Sequence, residues 1–291
     1  MSNRHGGGPL RTILLLTTST GTPERQAGLA RLFASLERNL ALLPERTTLR
    51  HLVLLQNGTR LAEPAPWFTT VLHETGSLSL SAARNKLLFA VEDELGAATM
   101  VGFPDDDAWY PDSLLSGLLS RLDDPLRPHV LLTRYGSDPS GNARFCTGRA
   151  LTPPLVQRMA ASPSMFFTGA VVRAAGRFDP GLGVGPGVRF VGGEDTDFAF
   201  RAWRLGGRRG LLLDAPLIGH RDKQRNLSAR YLAGNSFVLV RQLRHHPALV
   251  AELLRKWAAF AWFAGCGLVP ISRAQSFFAA QIAGLGTAPA G

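Results

Sequence analysis

Asp105, Asp106 and Asp107 stand in a row after the apolar run Ala97 to Phe103 and a proline. Three adjacent carboxylates repel one another, and a plain loop gains nothing from that. A divalent cation removes the repulsion. Mg2+ and Mn2+ are hard ions that take oxygen ligands, and Mg2+ is usually held by one or two carboxylates together with substrate phosphates. On an extended backbone Asp105 and Asp107 lie on the same side, roughly 7 Å apart at Cα. An ion between them also reaches a diphosphate. The competing reading is a solvated acidic turn. A calcium loop of the EF-hand type starting at Asp105 is excluded, because its sixth position is Tyr110 where that loop needs glycine.

A second acidic group is Glu194, Asp195 and Asp197, between Gly192-Gly193 and Phe198-Ala199-Phe200. Acids in the first turn of a helix complement its dipole, so the sequence predicts a helix starting here.

The elements that must position these residues alternate. Thr12 to Thr17 is a short apolar run, a buried strand, and Thr18 to Pro23 is its loop. Glu24 to Leu43 carries Leu29, Leu32, Phe33, Leu36, Leu40 and Leu43 at helical spacing. His51 to Leu55 is a second strand with the turn Gln56-Asn57-Gly58-Thr59, and Phe68 to His73 a third. Ser81 to Leu95 is a helix with Ser81 as its N-cap. Ala97 to Phe103 is the strand before the acids, Asp112 to Leu122 a helix and His129 to Thr133 a strand. This βαβ rhythm predicts an α/β fold, a mostly parallel sheet with helices on both faces. Ligands of such sheets collect at the carboxyl ends of the strands. The Thr18 loop, the Gln56 turn and the acidic triplet all lie there and converge on one crevice.

Further along, residues 136–165 are loop-like and Phe166 to Val172 is a strand. Arg173 to Gly187 is turn-rich, and Leu211 to Leu213 is a strand followed by a loop with His220. There is no internal repeat. Asn226 to Arg244 and Pro247 to Leu268 are helical. Trp257 to Ile271 is uncharged and aromatic, shorter than the roughly 20 residues of a spanning helix and flanked by Arg255, Lys256 and Arg273. That pattern suits a bilayer interface; packing on the domain or in a dimer is the competing reading.

Charge is divided unevenly. Of 32 Lys and Arg and 22 Asp and Glu, residues 201–291 hold 13 and 3, so the last third carries the whole net charge of +10. A basic surface of this kind meets a polyanion or an anionic membrane. No nucleic-acid motif accompanies it, which excludes nucleic acid as partner. Cys146 and Cys266 lack metal-type spacing and fit a reducing compartment. Met1 to Pro9 has no apolar signal core, so the expectation is a disordered N-terminus and a cytoplasmic protein, peripheral on the inner face of the plasma membrane through its tail. No Walker loop or strand-linked Gly-x-Gly-x-x-Gly points to ATP or NAD.

The ordered set Thr18-Ser19, Gln56 to Thr59, Ser81-Ala82-Ala83-Arg84-Asn85, Phe103 to Asp107, Phe166 to Ala170, Gly176 to Asp179 and Gly193 to Asp197 resembles family-2 glycosyltransferases of the GT-A fold. The resemblance covers residues 11–225, between a disordered 1–10 and a basic, apolar helical extension, 226–291. It implies a Rossmann-like GT-A domain that moves a sugar from a nucleoside-diphosphate sugar to a hydroxyl acceptor. It implies Mn2+ or Mg2+ held by Asp105 and Asp107, with Asp106 beside them and His220 as a late metal- or diphosphate-contacting histidine. Thr18, Ser19, Gln56, Arg84, Asp105 and Asp106 fall along the nucleotide sugar, where an arginine and a metal neutralise the leaving diphosphate. The family's Glu-Asp motif falls on Glu194 and Asp195. In inverting members the Asp, here Asp195, is the base for the acceptor hydroxyl.

One departure concerns the second strand, where many members carry an Asp that contacts the nucleobase. Gln56 stands there instead, and its amide can pair with N3–H and a carbonyl of uracil or thymine, or face another base. The acceptor is expected to be a glycan or lipid-linked precursor in cell-envelope polysaccharide synthesis, with residues 226–283 on an anionic membrane surface. Two alternatives stand beside this. A sugar nucleotidyltransferase would need a Gly-rich, Arg-containing phosphate loop after the first strand, and Thr17 to Pro23 has one Gly and no Arg. A catalytically inactive relative would bind a glycan or partner at the membrane.

Overall fold

A computed structural model describes residues 10–124, 127–221, 230–267 and 269–286. The expected disordered N-terminus (residues 1–9) and the expected helix start at Asn226 lie outside the described residues.

The first strand, β1 (Arg11–Ser19), buries Ile13 to Leu16 completely and pairs in parallel with β2 (Thr47–Leu55) and β4 (Thr99–Gly102). Strand side chains alternate between faces. Leu14 and Leu16 therefore pack with Ala83 and Leu87 of α2 (Leu80–Ala90) and Phe198 and Ala202 of α6 (Glu194–Leu205). Ile13 and Leu15 pack with Leu32 and Leu36 of α1 (Pro23–Leu40) and Leu115 and Leu118 of α3 (Leu114–Leu122). This is the expected layered α/β architecture, with helices on both faces of the sheet.

Among the described residues the main sheet has eight strands in the order β3-β2-β1-β4-β7-β5-β10-β6. These include β3 (Thr69–His73), β5 (Val130–Gly136), β6 (Gly148–Ala150), β7 (Met165–Thr168) and β10 (Gly210–Gly219), while β8 (Leu182–Gly183) and β9 (Phe190–Val191) form a separate two-stranded pair. β7 runs antiparallel to both β4 and β5, and β6 antiparallel to β10. The rest are parallel. The carboxyl ends of β1, β2, β4, β5 and β10 therefore share one edge with the entry to β7.

Several local expectations change. Ser79, not Ser81, caps α2 by accepting from Ala82 N–H; Ser81 points inward and donates to Leu182 O at 2.7 Å. The strand expected from Phe166 to Val172 ends at Thr168, and α5 (Gly169–Ala175) follows. A Cβ on Gly169 would lie 2.6 Å from Gly96 O, so the chain turns into the helix against that backbone. The stretch 136–165 holds β6, α4 (Pro153–Met159) and a 3-10 turn at Ser162–Ser164.

The described part of the basic extension is largely helical. α7 (Leu232–Leu243) is buried under α6, where Gly234 lies so close to Gly192 O that a Cβ would sit 1.8 Å from it. α8 (Val250–Gly265) and α9 (Ile271–Gly286) join through stacked Phe260 and Phe277, ring centroids 4.4 Å apart. Among the described residues no helix is long and apolar enough to cross a membrane.

Candidate active site

A cleft of about 680 Å³ opens at the shared carboxyl edge. Thr18 and Ser19 enter it from the end of β1, Gln56 from β2, the acidic triplet from β4, His220 from β10, and Glu194 and Asp195 from the first turn of α6. The acidic turn is seated on α1, where a Cβ on Gly28 would lie 2.5 Å from Asp106 O. Glycine normally weakens a helix interior; here it lets helix and turn approach.

Asp105, Asp107 and His220 each place one ligand atom within 4.8 Å of the others. His220 Nε2 is 3.0 Å from Asp107 Oδ1 and 3.4 Å from Asp105 Oδ2. Its Nδ1–H donates to Arg221 O at 2.8 Å, the backbone bond that commonly fixes the tautomer of a metal-ligating histidine. Among the described residues, buried Asp107 Oδ1 has the ion-pair contact with His220 and no further hydrogen bond. Two carboxylate oxygens and an imidazole nitrogen fit a divalent ion, and the nitrogen favours Mn2+ over Mg2+. Burial opposes charge on His220, but the two carboxylates outweigh it and raise the imidazole to about 10. Burial likewise opposes charge on Asp107, yet His220, Arg221 and Arg25 hold it down at about 2.

Asp106 turns away from this cluster. Its Oδ1 accepts from Arg25 Nη1 at 2.8 Å. Burial raises it to about 6, against the opposing hydrogen bond from Ser19 and the charge of Arg25. It is therefore placed to hold the β1 loop and α1 against the turn. Ser19 also caps this loop, its Oγ accepting from Gly21 N–H at 3.1 Å.

Arg84 lies buried between the two acidic groups. Its Nη1 donates to Asp195 Oδ1 at 2.7 Å and its Nη2 is 3.6 Å from Asp105 Oδ1. Burial opposes its charge, but Asp195, Asp105 and Glu194 more than compensate and raise its pKa. Ser162 makes a second bridge: its Oγ donates to Asp105 Oδ1 and its N–H to Asp195 Oδ2, both at 2.9 Å. Asp195 is thus gripped at both oxygens and faces the cleft in one orientation. Glu194 is buried, and desolvation with the charge of Asp195 raises it to about 7 despite Arg84. Asp197 leaves the site for a buried ion pair with Arg201 at 2.9 Å and a further one with Arg241.

No protein-family model matches the sequence, and no curated protein matches it. Solved structures do. S. aureus TarS 1–349 in complex with UDP-GlcNAc aligns with a TM-score of 0.63 at 16% identity, over 93% of this chain and 79% of that one. A second S. aureus TarS structure aligns at 0.62 and 16% over 93% of this chain, which spans 48% of it. GalNAc-T7 with UDP, GalNAc and Mn2+ aligns at 0.52 and 15%, over 79% of this chain and 48% of that one. The chain has the GT-A glycosyltransferase fold.

Within this GT-A fold the sequence-predicted residues do meet. Thr18, Ser19, Gln56, Asp105, Asp106, Asp107, Glu194, Asp195 and His220 all line the cleft, with Arg84 behind it. Gln56 is narrower in its options than the sequence suggested. Its Oε1 accepts from Leu78 N–H at 2.7 Å, so only the NH2 end of the amide is left to pair elsewhere. Ser162 and Gln157 were not expected. Both come from the stretch expected to be a loop; the hydrogen-bond partners of Ser162 lie 33 and 57 residues away in sequence, so no local motif marks it.

Proposed function

We propose that this chain is a metal-dependent glycosyltransferase that moves a sugar from a nucleoside-diphosphate sugar to a hydroxyl acceptor with inversion. The observation that carries it is the pairing of two acidic groups across one cleft, the Asp105–Asp107–His220 cluster and Asp195, with Arg84 and Ser162 tied to both sides. The GT-A neighbours carry UDP or UDP-GlcNAc, and one carries Mn2+, which favours a UDP-sugar donor and Mn2+ here.

Asp105, Asp107 and His220 would hold the ion, which when bound supplies positive charge to the departing diphosphate. Arg84 adds a fixed, buried positive charge at the same place. Thr18, Ser19 and Gln56 line the nucleotide side, and the Gln56 NH2 donates to a base carbonyl. Asp195 accepts the proton of the acceptor hydroxyl. The bonds from Arg84 and Ser162 fix its aim, and geometry comes first in a general base. Glu194, beside it and near 7, limits the negative charge massed around Arg84. The acceptor enters from the side of α6, α4 and the C-terminal helices. The basic extension, residues 226–283, meets an anionic membrane surface, which suits a lipid-linked or polysaccharide precursor in a peripheral, cytoplasmic-face enzyme.

Asp195→Asn tests the base. It is expected to leave UDP–Mn2+ binding within about threefold while lowering transfer by about 10²–10⁴. Wild-type turnover in that variant would remove the assignment.

A further inference from the structure

We propose that Trp109 and Gly219 are a positioning pair for the candidate metal site, fixing His220 against the acidic turn. This rests on the metal-dependent reading above and names what builds its site.

The candidate ligands come from two separate elements. Asp105 and Asp107 lie in the turn after β4, and His220 follows the last residue of β10. A bridge of two backbone hydrogen bonds joins these elements. Trp109 N–H donates to Gly219 O at 2.9 Å, and Gly219 N–H donates to Trp109 O at 2.8 Å. Trp109 is two residues past Asp107 and Gly219 is one before His220, so the bridge sets the distance from imidazole to carboxylates through few bonds. β10 reaches it along an irregular path, its pairing with β5 shifting register at Pro216. Irregularity of this kind re-aims side chains next to sites. On the other side, His220 N–H donates to Gly136 O of β5 at 2.9 Å.

The bridge leaves Gly219 no room for a side chain. A Cβ there would lie 2.0 Å from Trp109 Cε2 and 2.3 Å from its Nε1. Gly219 is not among the glycines of positive φ, so it is required by contact with the indole and not by its backbone conformation. The indole is itself held. Arg31 of α1 sets its guanidinium 4.1 Å from the ring centroid, a cation–π contact, and its Nη2 donates to Asp107 O at 2.7 Å. One ring therefore joins α1, the acidic turn and the end of β10, and the arginine on that ring also fixes the backbone of Asp107.

The test is a Mn2+ titration of the full chain without nucleotide, read by calorimetry and by the electron paramagnetic resonance of free Mn2+. Gly219→Ala is expected to weaken Mn2+ binding about 10–100-fold, the range for outer-shell support of a metal ligand. Two double-mutant cycles then separate positioning from a general loss of structure. In a Trp109→Ala background the same substitution should cost less than about threefold, because the ring it strikes is gone. In a His220→Ala background it should again cost less than about threefold, because no imidazole is left to misplace. Wild-type Mn2+ affinity in Gly219→Ala would overturn the proposal, and so would an equal cost in all three backgrounds. If Gly219→Ala does not fold, Trp109→Ala with and without His220→Ala carries the second cycle. About tenfold loss alone and none beyond that of His220→Ala is expected there, and additive losses would overturn the proposal. Absence of Mn2+ binding by the wild-type chain would sink the metal reading itself, whereas Mn2+ binding with additive losses would sink only the role of this pair.

Discussion

Ser162 offers a clean separation of the two halves of the site, because its side chain serves one carboxylate and its backbone the other. Ser162→Ala deletes the Oγ–H bond to Asp105 and keeps the N–H bond to Asp195. A hydrogen bond to a charged group contributes about 1.5–3 kcal/mol. The Asp105 side chain is 34% exposed, so water replaces part of that. The low end applies, about 1.5 kcal/mol, or about tenfold in Mn2+ affinity; outer-shell partners of metal ligands cost a comparable 10–100-fold. Ser162→Pro removes both bonds. Ala161 before it is extended, with φ −151° and ψ 133°, the conformation a following proline requires. Ser162 itself starts a 3-10 turn, whose φ suits a proline ring. The expected series is Mn2+ affinity lowered about tenfold in both variants, and donor turnover lowered a further ~10–30-fold in the proline variant alone. Calorimetry with Mn2+ and UDP, together with release of UDP from a UDP-sugar, reads both quantities. Equal turnover in the two variants would show that the N–H contact does nothing for Asp195. Unchanged Mn2+ affinity in Ser162→Ala would show that Asp105 is not held through Ser162.

Two further outcomes follow from the same geometry. Asp106→Asn is expected to change Mn2+ affinity by less than about threefold, whereas Asp107→Asn should lower it by more than about 100-fold, beyond an outer-shell effect; metal titration of both variants checks this. His51 is fully buried between Thr17 Oγ1 (2.9 Å) and Thr69 Oγ1 (3.3 Å), and burial lowers it from 6.5 to about 3. Between those values the unfolded chain binds the proton more readily, so stability rises with pH through this window and is lost as pH falls. At pH 4.5 the penalty is about 2–3 kcal/mol. Denaturant unfolding of His51→Gln at pH 7 and pH 4.5 should show a shallower loss than wild type by about that amount; an equal loss would mean His51 does not bear the acid sensitivity.

Much of this was legible in the sequence, for definable reasons. The acids at 105–107 are contiguous and follow a buried strand, so both their chemistry and their place at the sheet edge could be read locally. The same holds for Glu194 and Asp195 at a helix start. Which carboxylate of the triplet turns inward could not be read, because Arg25 and Gly28, which decide it, belong to another element. His220 entered through resemblance alone, as one histidine in a loop carries no spacing signal. The β-branched pair Val171-Val172 extended the expected strand past Thr168, while the turn was set by contact of Gly169 with Gly96. Ser162 and Gln157 fall in the Gly136 to Met165 stretch expected to help form the acceptor site, but nothing singled them out within it, since their partners or lack of them exist only in three dimensions.

The most direct test of the central claim is calorimetric titration of UDP into the full chain with and without Mn2+. Saturable, Mn2+-dependent UDP binding that disappears in Asp105→Ala/Asp107→Ala is the expected result. UDP binding that ignores both the metal and the double substitution, or no binding under either condition, would contradict it.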